Sequence, residues 1–143
     1  IKDVRQFTGI LYGLSFVGVA LFFTMMLGGD FTDCMVAGIA GLAMAVTQWV
    51  LTPFGFNSFF LNMISTLSMA LTAVGFKKFF LPGINIDLVI IGGIMPIVPG
   101  VVFTTAMRDT LNGDYTAGVS RMLETGVVAF AVAVGVALAY VIL

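Results

Sequence analysis

Met95-Pro96-Ile97-Val98-Pro99-Gly100 lies at the centre of an uncharged run from Leu88 to Met107. About twenty residues rising 1.5 Å each give ~30 Å of helix, one hydrocarbon thickness. Two prolines and a glycine therefore fall near the middle of a candidate membrane crossing. Pro96 has no N–H for the carbonyl of Gly92, and Pro99 has none for Met95. Met95 and Val98 each precede a proline and are pushed away from helical dihedrals. The spacing predicts that the helix breaks here. Lipid cannot satisfy the freed backbone groups, so such a break is tolerated only against protein or a wet cavity. Carriers build solute sites from backbone of this kind.

Composition makes a membrane the required solvent. Of 143 residues, 60% are hydrophobic and 9% charged, where a soluble domain carries roughly 25% charge. The chain could not cover itself with polar surface. Net charge is −1 with no basic block, which argues against a nucleic-acid partner. Cys34 is the one cysteine and there is no histidine. An intrachain disulfide is excluded, and the commonest metal ligand and neutral-pH proton relay are missing. No phosphate loop, nucleophile elbow or metal cluster appears, so neither an enzyme nor a bound metal or cofactor is expected. The chain begins at Ile1 rather than methionine and reads as part of a longer polypeptide. No short apolar core with a small-residue cleavage site marks a signal peptide.

Charges partition the chain into five expected spans, at about 8–27, 34–51, 59–76, 86–107 and 122–143. The fold class expected is all-α, an integral membrane bundle of five helices with the fourth broken. Cys34 to Phe76 is uncharged but too long for one crossing, and Thr52-Pro53-Phe54-Gly55-Phe56-Asn57 divides it with turn chemistry. Lys77-Lys78 to Asn85, with Pro82-Gly83, is a loop, and Arg108 to Gly118 is a polar turn. With a cytoplasmic N-terminus, Lys2, Arg5, Arg108 and Arg121 lie inside and Lys77 and Lys78 outside, which the positive-inside bias favours. The rows Gly9/Gly13, Ala37/Gly41/Ala45 and Ala131/Gly135/Ala139 have the spacing that lets helix backbones approach closely in lipid.

The candidate site follows from the break. A half-helix starting near Val101 presents its first N–H groups, including Val102, with positive partial charge toward the midplane. A carboxylate fits such a terminus. Thr104, Thr105 and Arg108 share one side of this half-helix, which suits a small anionic or zwitterionic solute. In that scheme Pro96, Pro99 and Gly100 shape the site. The competing readings are a structural kink, back-bonding of both threonines to helix carbonyls, and a snorkelling arginine. On the third span Asn62, Ser65, Thr66 and Thr72 fall on one face that should look inward, as pathway lining or as interhelical bonds. Asp33, Asp87, Asp109 and Glu124 flank span ends. They are the proton-coupling candidates, against the plainer reading of interfacial charges and helix N-terminal acids. Asp109 beside Arg108 could form a pair.

These residues carry a family resemblance. Gly93-Ile94-Met95-Pro96-Ile97-Val98-Pro99-Gly100-Val101, then Thr104-Thr105-Ala106-Met107-Arg108-Asp109, then Asn112-Gly113-Asp114 and Gly118 resemble the membrane domain of the bacterial threonine/serine exporter family. Gly28-Gly29-Asp30 and Asp33 resemble its first-loop pattern. At Thr105 many relatives would carry asparagine. The resemblance spans essentially the whole chain and implies a proton-driven secondary carrier in the bacterial inner membrane that exports threonine and serine. Related two-component members imply small dicarboxylates such as succinate as an alternative solute. It also implies an upstream cytosolic domain and a companion five-span half, or a homo-oligomer, to complete the transporter in the lipid bilayer. The rivals outside that class are a membrane anchor that positions another domain and a passive channel.

Overall fold

The computed structural model describes residues 9–143; Lys2, Asp3, Arg5 and the first residue of the first expected span lie outside them. The described chain is helical, with α1 Gly9–Met26, α2 Phe31–Leu51, α3 Ser58–Phe79, α4 Ile86–Ile94, α5 Gly100–Leu111 and α6 Tyr115–Ile142. A single 3-10 turn, Thr52–Phe54, follows α2. Its end and the α5–α6 turn place Gly55 at φ +70° and Gly113 at φ +87°, where a side chain would be strained. Asn57 caps α3 by accepting from the Phe59 amide at 3.4 Å, and Asp114 caps α6 by accepting from the Ala117 amide at 3.2 Å. Lys77 and Lys78 occupy the last turn of α3, the end that favours cations.

Four of these helices, α1, α2, α3 and α6, are long and apolar enough to cross a membrane. The sequence led us to expect five. The fourth expected crossing, 86–107, is instead two helices of nine and twelve residues, and neither reaches the ~20 residues a crossing needs. The last expected span also changes. Helix α6 begins at Tyr115 rather than near residue 122 and has 28 residues. At 1.5 Å each that is ~42 Å, more than a hydrocarbon core.

Small residues decide where the helices meet. A Cβ on Gly41 would stand 3.0 Å from the Ala20 Cβ and 3.1 Å from the Phe16 carbonyl oxygen, so α2 lies directly on α1. On Gly135 it would stand 2.6 Å from the Met63 carbonyl oxygen, which brings α6 onto α3. Gly92 abuts Thr24 and the Ala20 carbonyl on α1, and Gly118 abuts Thr110 and the Ala106 carbonyl on α5. Helices α1 to α4 pack on one another around Phe16, Val36, Met44, Met69, Val89 and Ile90. Helix α6 packs on α3, and α5 has α6 as its packing partner. Phe22, Trp49, Phe60 and Phe130 point outward, as lipid-facing side chains do.

Two contacts orient the ends. Lys78 Nζ donates to the Leu143 carbonyl at 2.9 Å, and the Asn85 amide donates to Asp33 Oδ1 at 2.9 Å. The C-terminal ends of α3 and α6 thus share one end of the bundle, with the starts of α2 and α4 close to each other there. The 3-10 turn and the start of α3 lie at the other.

Candidate functional site around the Met95–Pro99 interruption

Helix α4 stops at Ile94 and α5 resumes at Gly100. The residues between satisfy their amides locally. Met95 donates to the Gly92 carbonyl at 3.3 Å, and Ile97 and Val98 both donate to Ile94 at 3.0 and 3.2 Å. Gly100 donates to Val98 at 2.8 Å, and the first full helical bond of α5 runs from Phe103 to the Pro99 carbonyl at 3.0 Å. Pro96 and Pro99 contribute no N–H to this series. The amides of Val101 and Val102 come before that first bond and stand at the helix terminus, where positive partial charge gathers.

An open groove of about 530 Å³ runs along this segment between α4 and α6. Ile94, Val98 and Pro99 line one side and Ala129, Val132 and Ala133 the other. Every lining side chain is apolar, so the groove offers shape without polar recognition from its own walls. A second groove of about 610 Å³ lies between α1 and α2, bordered by Gly9, Tyr12, Gly13, Leu42 and Trp49.

Of the residues singled out in the sequence, Pro99 reaches the groove beside the interruption, while Pro96, Gly100 and Val101 adjoin it along the chain. Val101 is 80% exposed. Thr104 and Thr105 both donate their hydroxyls to the Val101 carbonyl, at 3.0 and 2.7 Å, the back-bonding alternative. Arg108 is exposed further along the same helix. Asn62 lies on α3 and accepts at Oδ1 from Gln48 Nε2 at 3.3 Å; Thr66 is fully buried and donates to the Asn62 carbonyl at 2.7 Å. The structure does not bring this α3 face together with α5.

The acids separate as well. Asp109 pairs with Arg121 across the α5–α6 hairpin at 2.8 Å, not with its neighbour Arg108. Asp87 and Glu124 are exposed. Asp33 is 4% exposed, and its carboxylate accepts from two backbone amides, Asp30 at 3.1 Å and Asn85 at 2.9 Å. Among the described residues no group of three His, Cys, Asp or Glu could hold a metal ion.

Sequence reasoning missed Gln48 and Tyr12. The Tyr12 hydroxyl donates to Gln48 Oε1, so α1, α2 and α3 are joined through one polar chain, Tyr12–Gln48–Asn62. The signal was present: an amide inside an apolar span demands an inward partner, and that holds for Gln48 as for Asn62.

No curated protein and no solved structure matches the chain. A family model, ThrE, described as "Putative threonine/serine exporter", matches residues 1–143. That match covers every helix and turn described above, and the chain belongs to this exporter family.

Proposed function

We propose that this chain is half of a secondary exporter that moves small amino acids such as threonine and serine out across the bacterial inner membrane, driven by protons. One observation carries the reading. In a chain matched along its whole length to an exporter family, helix stops at Ile94 and resumes at Gly100 beside an open groove. Helices α4 and α5 then act as one interrupted fourth crossing, and the chain makes five. Pro96, Pro99 and Gly100 shape the opening. The Val101 and Val102 amides receive the solute carboxylate, with Thr104 and Thr105 at its flank and Arg108 drawing the anion toward the cytoplasmic end. Asn62 and Thr66 belong to the inward polar face of α3.

The apolar groove also supports an incomplete site. A zwitterion needs polar partners for its ammonium group, and the walls beside Pro99 supply none. A companion five-span half or a second copy completes it, as carriers built from paired repeats do. Of the four span-end acids, Asp87 and Glu124 make neither the amide contacts of Asp33 nor the arginine contact of Asp109, and they are the coupling candidates we favour.

The test is export from cells that lack or express the full-length protein. Expression should lower intracellular threonine and raise efflux, and collapse of the proton gradient should abolish concentrative export. A fall in succinate instead of threonine would assign the dicarboxylate alternative. Unchanged levels of both solutes would overturn the carrier reading in favour of a membrane anchor.

A further inference from the structure

We propose that Asp33 is a positioning residue. Its buried carboxylate fixes the start of α4, and with it the depth of the Met95–Pro99 interruption. The proposal rests on the exporter reading for its functional consequence, and on geometry alone for the clamp itself.

The two carboxylate oxygens do different things. Oδ2 accepts from the Asp30 amide at 3.1 Å, the contact an acid three residues into a helix makes when it caps its own start. Oδ1 accepts at 2.9 Å from the amide of Asn85, 52 residues away. Capping α2 does not require that second bond. Asn85 is the residue from which α4 begins. One side chain therefore ties the α1–α2 loop to the α3–α4 loop, and does so at 4% exposure. Both oxygens are thereby committed to backbone amides, one in each of two loops.

The clamp acts through α4 as a strut. Nine residues make a rigid segment of ~14 Å. Its far end is wedged as well: Gly92 lies against Thr24 and the Ala20 carbonyl, and a Cβ on Gly93 would stand 2.8 Å from the Met69 sulfur. Helix α5, past the interruption, packs chiefly on α6. Where Asn85 is held, the last turn of α4 is held, and the opening that follows it is set relative to α1 and α3.

Cys34 is a built-in reporter. It is the single cysteine of this chain, buried next to Asp33, with Sγ 3.8 Å from the Gly29 carbonyl in the same loop. The experiment uses the full-length protein in proteoliposomes with Cys34 as its single thiol. It measures maleimide labelling of Cys34 and exchange of radiolabelled threonine across a pH series. Two variants are compared with the unmodified protein. Asp33→Asn replaces one acceptor by a donor. Asn85→Pro removes the amide that Oδ1 receives and an exposed side chain that makes no cap bond, at a position whose φ of −83° proline tolerates, and leaves the carboxylate intact.

Each variant should label at Cys34 at least tenfold faster and lose at least tenfold in exchange, the scale expected for losing a hydrogen bond to a charged group. The pH profile of the residual exchange should keep its shape. Asn85→Pro is decisive, because it breaks the clamp without removing a titratable group. Asp33→Asn with pH-independent exchange and a protected Cys34 would overturn the proposal, as would normal exchange in Asn85→Pro. If one variant does not fold, the other decides. If the unmodified protein exchanges no threonine, the exporter reading fails, while Cys34 labelling in the two variants still upholds or overturns the clamp.

Discussion

At Gly135 the approach of two helices is limited by a single hydrogen. A Cβ there would meet the Met63 carbonyl oxygen at 2.6 Å and the Thr66 Cβ at 3.0 Å, and backbone cannot yield as a flexible side chain can. Gly135→Ala should push α6 off α3 and cost about 1–3 kcal/mol, the usual range for overpacking. Gly126 sits on the same helix with nothing near it, so Gly126→Ala should be neutral or slightly stabilising through helix propensity. Thermal unfolding in detergent checks the pair, and equal Tm values would contradict the α3–α6 contact. Gln48 makes a second case. Gln48→Leu leaves the Tyr12 hydroxyl without its acceptor and Asn62 Oδ1 without its donor. Interhelical hydrogen bonds in membranes contribute about 0.6–2 kcal/mol. In a double-mutant cycle, Asn62→Leu should cost less when Gln48 is already leucine, and strict additivity would show that the two amides do not interact.

The element that defines the fold is the gap between α4 and α5. Restoring donors at both prolines with Pro96→Ala and Pro99→Ala lets α4 run on into α5. If the opening is the solute site, threonine export should fall at least tenfold while Tm holds or rises. An anchor would keep its activity. That regular helix stops at Ile94 was legible in the sequence because each proline acts on its own neighbours, Gly92 and Met95 among them, and needs no tertiary partner to do so. The rows on α2 and α6 were legible for the same reason, since spacing alone places Ala37, Gly41 and Ala45 on one face and Ala131, Gly135 and Ala139 on another, and all six are buried; Gly9 and Gly13 instead border the open α1–α2 groove. The start of α6 was not. Arg121 and Glu124 look like a boundary in sequence, yet Asp109 reaches across to Arg121 and Gly118 lies on α5, so helix continues through the charges. The Asp33–Asn85 bond was equally hidden, because 52 residues separate its partners and nothing local distinguishes this acid from an ordinary helix cap.

At the scale of the molecule, the chain's path constrains its topology. Asp33 binds the start of α4, and Lys78 binds the end of α6 beside the end of α3. The segment from Asn85 to Asp114 must therefore carry the chain away from that end, so that α6 can return to it. If α4 and α5 together make one crossing, Gly83 and Asn112 lie on opposite faces of the membrane. If α4 dips in and α5 comes back out, they lie on the same face, and α6 could not end beside α3. Single cysteines at Gly83→Cys and Asn112→Cys, in a background with Cys34 replaced by alanine, distinguish the two with an impermeant maleimide on intact cells. Arg108 and Arg121 flank Asn112, whereas Lys77 and Lys78 stand at the other end with Asp87. Lys2 and Arg5 precede α1, which starts at the Asn112 end by the helix order, and the positive-inside bias then puts Asn112 in the cytoplasm. The expected result is labelling at Gly83→Cys from outside and protection at Asn112→Cys until the cells are permeabilised. Labelling of both from outside would show that the interrupted pair turns back within the membrane, and would contradict the shared end of α3 and α6 that the Lys78–Leu143 bond sets.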